Sequence, residues 1–499
     1  MKKRIALVSF GVGTGEFSQF GEFLLSATVA LYYLKEALER AGFEILILDQ
    51  PASKDLVEAK MLGQLLDFNP RVVLFSQFFS TRIQVRDFIT KLKEAGVSCY
   101  FGVGGHDATF HSLVSPASYE MFDLVFQGPV MKSIIPSLEK LIIAKHAPQV
   151  FVNSLGETEN PDLLPAISHS DYSSKVGFLK TSEGCLRENC GCGFCTTPQF
   201  CPTGWRPRSL ALVTEEIKNL KSSGKKFVFI TDDNFLGFSQ KHLFRGHEII
   251  MACRTAGLKL MIMTRPERVL AAYKKGFLAL WQNTVFRVFI GVENGSPSGL
   301  QKLGKVAGRE YLKISGEAIQ RLKENKIAPF LGYINFPGVE TVFQELEESA
   351  KFLHDLGESD MTALSQNLRP YEGTKVFEKF GALHVSAKGS ELIYDFLDQR
   401  VTKFHRFLFS LRPVTDEMDN LVFSLTDYVY IFRPNTALVA SFLLIKQAWS
   451  DLTYNFFIKA LQSFRDRREV VGCEEFYATT ESLAFQSRVL LSEMKERFG

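Results

Sequence analysis

Thr181-Ser182-Glu183-Gly184-Cys185-Leu186-Arg187-Glu188-Asn189-Cys190-Gly191-Cys192-Gly193-Phe194-Cys195 follows directly on an apolar run, Gly177–Thr181, that reads as a β-strand. Five of the eight cysteines, these four and Cys201, fall within seventeen residues, while Cys99, Cys253 and Cys473 stand alone. Such clustering in a reduced compartment favours metal ligation over disulfides, and the surrounding Gly and Pro residues make the segment a loop. Thiolates on a loop at a strand end can converge on one body. Three of them leave one iron of a 4Fe–4S cube open for an external ligand. Zinc is the alternative, but a structural zinc site wants a second ligand pair, and none follows at suitable spacing.

Downstream of the loop, strand and helix patterns alternate to about residue 380. Probable strands are Phe227–Thr231, Lys259–Met263, Arg287–Val292, Pro329–Asn335 and Asp360–Leu364, with helices such as Leu212–Ser222, Tyr311–Asn325 and Thr341–Leu356 between them. With the first strand this makes six βα units, which suits an open barrel with its chemistry at the strand ends. Upstream, Arg4–Phe10, Glu44–Leu48, Val72–Ser76, Cys99–Val103 and Leu124–Phe126 alternate with helical stretches, as in a doubly wound parallel sheet. A polar stretch from Ser154 to Lys175, with Pro161 and Pro165, separates the two regions. The expected organisation is therefore an α/β domain over 1–150, a linker over 151–175, a partial (β/α)6 barrel over 176–380 and a mainly helical region over 381–499, a candidate substrate-binding part.

The 499 residues are 46% hydrophobic and 23% charged, with a net charge of +3 and acids and bases mixed throughout, so neither nucleic acid nor a membrane surface is indicated as a partner. No apolar run approaches the ~20 residues of a membrane span. The basic start, Met1 to Arg4, leads into an apolar stretch that stops at Gly11-Val12-Gly13 without a cleavage site. It reads as a first strand, and the expected location is the cytoplasm. Phe is heavily used, with 45 residues against 3 Trp, which points to large aromatic cores.

In order along the chain, several stretches are similar to the radical S-adenosylmethionine (SAM) enzymes, and within them to the cobalamin-binding branch. They are Thr181–Cys195 with Arg206-Pro207-Arg208-Ser209, Thr231-Asp232-Asp233-Asn234-Phe235, Ile290-Gly291-Val292-Glu293-Asn294-Gly295, Phe336–Thr341 and Leu368–Thr374. Upstream, Gly104–Thr109 and Asp123–Gly128 resemble that branch's cobalamin domain. The resemblance spans roughly residues 1–380.

It implies that Cys185, Cys192 and Cys195 hold a 4Fe–4S cluster. The family spacing CxxxCxxC is here C-x6-C-x2-C, so Cys185 carries the glycine–cysteine opening with three residues inserted; Cys190 is the alternative first ligand, and Cys201 a bystander. The open iron would chelate SAM, whose cleavage gives a 5′-deoxyadenosyl radical. Asp232, Asp233 and Glu293, with Asn335, become candidates for SAM's ammonium and ribose, and Arg265 and Arg369 for a carboxylate or a substrate anion. Ser76, Gly104, Gly105 and Gly128 would line a Rossmann-like cobalamin site, with Ser9–Gly15 and Ser76–Thr81 at its edge. Two departures stand out: no Asp-x-His-x-x-Gly sequence supplies a lower histidine ligand, and Pro129-Val130 replaces the acids that often follow the final glycine. The implied activity is cobalamin-dependent methylation of an unactivated carbon of a small-molecule or peptide substrate, with a flavodoxin or ferredoxin as electron donor. Radical cyclisation or rearrangement without methyl transfer is the second enzymatic reading, and a metal- or cobalamin-dependent sensor is a non-enzymatic third.

Overall fold

Runs such as Ile5-Ala6-Leu7-Val8 and Val72-Val73-Leu74-Phe75 are apolar on both faces, as strands buried between two helical layers must be. The computed structural model describes residues 3–10, 28–50, 56–143, 149–172, 176–185, 192–305, 308–380, 386–388, 391–470 and 472–498. Its first sheet has six parallel strands, β1 (Arg4–Ser9), β2 (Glu44–Asp49), β3 (Val72–Ser76), β4 (Tyr100–Gly104), β5 (Leu124–Gln127) and β6 (Val150–Asn153), in the order β2-β1-β3-β4-β5-β6. The strand order reverses between β1 and β3, which opens a crevice at their carboxyl ends. The edge strand β6 falls inside the stretch that the sequence assigns to the end of the domain and the start of the linker.

The second sheet is also parallel. It contains β7 (Val176–Leu179), β8 (Phe227–Ile230), β9 (Lys259–Thr264), β10 (Val285–Glu293) and β11 (Ala328–Tyr333), in sequential order. The expected sixth strand, Asp360–Leu364, is instead a helix over Met361–Ser365. Asp360 caps it, its side chain accepting the Ala363 N–H at 2.7 Å. The chain rejoins the sheet only through an isolated parallel bridge between Phe336 and Asn367. The barrel is thus open, with five strands and a one-residue stub of a sixth.

One face of this sheet packs Val228, Ile230, Leu260, Ile262, Val288 and Ile290 against the flanking helices. The other carries Phe227, Met261 and Phe286, with Phe229, Phe289 and Phe330 beside them, and is closed by Ile431 and Phe432. Those two residues end the helix Arg412–Phe432, one of four long C-terminal helices with Gln399–Ser410, Thr436–Asp466 and Cys473–Phe498. Edge-to-face contacts of Phe289 with Phe330 at 5.2 Å and of Phe330 with Phe423 at 5.3 Å knit the barrel to that helix. This is where much of the phenylalanine excess goes. Among the described residues, no helix is long and apolar enough to cross a membrane.

Candidate functional site

The cysteine loop is tied down at its root by the two acids that follow β8. Asp232 is fully buried and accepts the Thr181 N–H, the Thr181 hydroxyl and the Ser182 hydroxyl, each at 2.6 Å. Both of its oxygens hold the root of the loop. Asp233 accepts the Gly184 N–H at 3.0 Å and the Thr197 hydroxyl at 3.2 Å. Gly184 sits at φ +78°, where a Cβ would collide with the Gly204 carbonyl, so only glycine fits ahead of Cys185. On the far side, Gly193 donates to the Leu303 carbonyl and accepts from the Val376 N–H, both at 3.1 Å.

Cys185, Cys192 and Cys195 lie within electrostatic reach of one another. Burial raises all three thiols, Cys185 to about 12, against which Arg265 beside Cys185 and Lys305 beside Cys192 favour the thiolate. Cys201 faces Asp233, Glu183 and Lys180. Cys190 lies outside the described residues, as do residues 11–15 of the expected cobalamin edge. Among the described residues, no three His, Cys, Asp or Glu side chains are arranged to hold a single metal ion.

Glu293 ends β10 at φ +73°, a strained conformation for a non-glycine residue, where the register between β10 and β11 slips. Its carboxylate meets Lys305 at 3.3 Å, and Lys305 donates to the Tyr311 hydroxyl at 3.2 Å. Tyr311 in turn donates to the Gly291 carbonyl at 2.5 Å. Glu293 is thus held beside Cys192, and Asp233 beside Cys185 and Cys195. Asn335 is fully buried, donating to the Leu364 carbonyl at 2.7 Å, and its Oδ1 has no hydrogen-bond partner among the described residues. Lys305 and Tyr311 were not legible as site residues, because they arrive from a helical segment without a motif.

A cavity of about 360 Å³ lies where the carboxyl ends of the first sheet meet the barrel. Ser76, Gly104, Gly105 and Gly128 all line it, with Lys180, Asp233 and Cys201. Gly105 and Gly128, both at φ +109°, serve the backbone: a Cβ would lie 2.9 Å from the Gln77 carbonyl oxygen and 2.5 Å from the Leu155 nitrogen respectively. His106 packs its ring on Phe200 at 4.2 Å, and burial holds it below the usual imidazole range.

No protein-family model matches the chain. A Methanocaldococcus jannaschii protein provisionally named a methylthiotransferase is 24% identical over 263 residues, 48% of this chain and 56% of that relative's length. Among solved structures, the cobalamin-dependent S-adenosylmethionine radical enzyme OxsB, with aqua-cobalamin and S-adenosylmethionine bound, superposes with a TM-score of 0.64 at 14% identity, covering 99% of this chain and 80% of that one. The radical S-adenosylmethionine methyltransferase TsrM from Kitasatospora setae, with cobalamin and a [4Fe-4S] cluster bound, gives 0.53 at 16% identity over 78% and 77% of the two chains. The chain has the fold of the cobalamin-dependent radical SAM enzymes. The likeness to OxsB takes in the C-terminal helices as well as both sheets.

In this radical SAM fold the relative placement of the two sheets sets the shape of the cleft, and two polar networks fix it here. In the first, Tyr33 of the N-terminal domain donates to Glu216 at 2.6 Å, and Arg208 donates to the same carboxylate at 2.9 Å. In the second, Arg82 bridges Asp107 at 2.5 Å and Glu372 at 2.6 Å, while His111 meets Glu372 at 3.0 Å. Burial opposes ionisation of Glu372, but the hydrogen bonds from His111 and Arg82 prevail and pull its carboxyl down to about 2. A depressed carboxyl stabilises the fold above its unfolded value of ~4.3, and that contribution is lost as pH falls through the folded value. Glu372→Gln is therefore expected to lower stability by about 1–3 kcal/mol at pH 7. In urea melts from pH 8 to 2.5, the gap to the parent protein should stay constant above pH ~5 and shrink below ~4. A gap that is independent of pH would show that the charge does not matter.

Proposed function

We propose that the chain is a radical SAM enzyme that uses a 4Fe–4S cluster, SAM and cobalamin to methylate an unactivated carbon. One observation carries the reading: three cysteines gathered at the carboxyl ends of the barrel strands are joined through Asp233 to a cavity at the carboxyl ends of the N-terminal sheet. The residues fit the groups involved. Cys185, Cys192 and Cys195 would hold the cluster, which supplies the electron that cleaves SAM. Glu293, paired with Lys305, and Arg265 offer an acceptor and a donor to the charged end of SAM. Ser76, Gly104, Gly105 and Gly128 would line the cobalamin site, and cobalamin would supply the methyl group.

Asp233 serves both sides, holding the cysteine loop with one face while lining the cobalamin cavity. The glycines keep the strand ends low, and Phe200 from the barrel side packs on His106 of the N-terminal domain at the cavity wall. A second cavity, of about 450 Å³, opens on the concave face of the barrel between Phe289, Phe330 and the helix Arg412–Phe432, and it is the natural place for substrate. Product mass spectrometry with methyl-labelled SAM tests the reading, once a substrate is found by screening. One labelled methyl in the product supports it. A product that lacks label but forms only with SAM would replace methylation with radical rearrangement.

A further inference from the structure

The turn that carries Lys305 is tied to the cysteine loop through the backbone. Ser296 caps a short helix, Pro297–Lys302, and the chain then reaches Gly304 at φ +83°. Gly304 donates to the Gln301 carbonyl at 3.0 Å and Lys305 to the Leu300 carbonyl at 2.8 Å, the paired bonds of a helix end that needs a left-handed residue. That glycine turns the chain back on itself. The Leu303 carbonyl then accepts the Gly193 N–H at 3.1 Å. Gly193 directly follows Cys192, so this bond sets Lys305 beside that thiol.

The Lys305 side chain is 7% exposed, and an ammonium has three N–H bonds to place. Glu293 lies at 3.3 Å and the Tyr311 hydroxyl accepts at 3.2 Å. The third acceptor is the Cys192 sulfur. Arg265 adds a second positive charge near Cys185 and Cys192. A lysine that served only to neutralise Glu293 would have no need to touch the thiol. The contact has a chemical consequence. A cube held by thiolates becomes more negative when it takes up an electron, and hydrogen bonds to its sulfurs and nearby cations favour that state. At a buried pair, salt screens little of the effect.

We propose that Lys305 sets the reduction potential of the cluster, its ammonium on the Cys192 sulfur holding the potential up while the Glu293 carboxylate beside it pulls the other way. The proposal rests on Cys192 being a cluster ligand. Lys305 acts through that ligand, as a positioning residue, and not on SAM. No proton leaves it in the process: the single electron comes from an external one-electron donor, and the ammonium only makes its arrival more favourable.

The test is a potentiometric titration of the anaerobically reconstituted full chain without SAM, with the reduced cluster read by electron paramagnetic resonance and iron and sulfide measured in each sample. Lys305→Gln is expected to lower the midpoint by at least about 59 mV, a tenfold loss in the one-electron reduction constant. Glu293→Gln should move it upward. Lys305→Arg keeps the charge and should stay close to the parent, as should Lys351→Gln, whose exposed partner is Asp355. A general disturbance of the fold does not give opposite shifts from the two partners of one pair. An unchanged midpoint in Lys305→Gln, or an Arg variant shifted as far as the Gln one, overturns the role of Lys305. A second readout needs no variant: in the parent isotopically labelled at its lysine nitrogens, pulsed resonance of the reduced cluster should show a coupled lysine nitrogen, and its absence overturns the contact. Iron and sulfide keep the underlying reading separate. A parent that takes up no cluster loses both, whereas a full cluster with one midpoint in every variant loses only the tuning.

Discussion

Glu216→Ala is expected to destabilise the protein by about 3–5 kcal/mol, a large part of the ~5–15 kcal/mol that holds a domain folded. Glu216 has no exposed side-chain surface, and neither has Arg208. Its carboxylate takes Tyr33 at 2.6 Å from the N-terminal domain, Arg208 at 2.9 Å from the segment after the cysteine loop, and His169 at 3.4 Å from the linker. Removing it strands a buried guanidinium, which would keep carbonyl partners at Lys180, Leu164 and Pro165 and the Tyr33 hydroxyl at 3.5 Å. Burial first, and then Glu216 itself, hold the Tyr33 phenol far above its usual range, so it stays a neutral donor and cannot replace the lost charge. Glu216→Gln keeps the shape and one acceptor and should cost less. Denaturant midpoints of the three proteins measure this, and an Ala variant as stable as the parent would mean that the network merely fills space.

Cys185→Ala, Cys192→Ala and Cys195→Ala should each abolish the charge-transfer absorption of the reconstituted cluster, while Cys201→Ala keeps it. Cys185, Cys192 and Cys195 lie within electrostatic reach of one another, whereas Cys201 faces Lys180, Glu183 and Asp233. If Cys185→Ala retains a full cluster and Cys190→Ala loses it, the first ligand is Cys190.

What the sequence made legible follows from burial. β1, β3 and β8 are apolar on both faces, so their limits could be read to within a residue or two, and the strand ends then placed Ser76, Gly104 and the cysteine loop. The sixth strand failed because Met361-Thr362-Ala363-Leu364-Ser365 suits a helix as well as a strand, and the Asp360 cap decided for the helix. Asp232 and Asp233 were equivalent as letters. Asp232 is buried at the loop root, whereas Asp233 opens a turn, holds the loop and also lines the cleft. The part played by Glu372 stayed hidden because its partner lies far away in sequence: Glu372 meets Arg82 across 290 residues. No periodicity reports such a pair.

The central claim is that this chain makes a radical from SAM, and the most direct measurement is 5′-deoxyadenosine formation by the anaerobically reconstituted protein with SAM and a chemical reductant. Iron and sulfide should be present at about four each per chain, as a 4Fe–4S cube requires. 5′-Deoxyadenosine should form in the parent protein and in Cys201→Ala, and be absent from Cys192→Ala. A protein that takes up zinc instead, or one that holds a full cluster yet leaves SAM intact, would contradict the account.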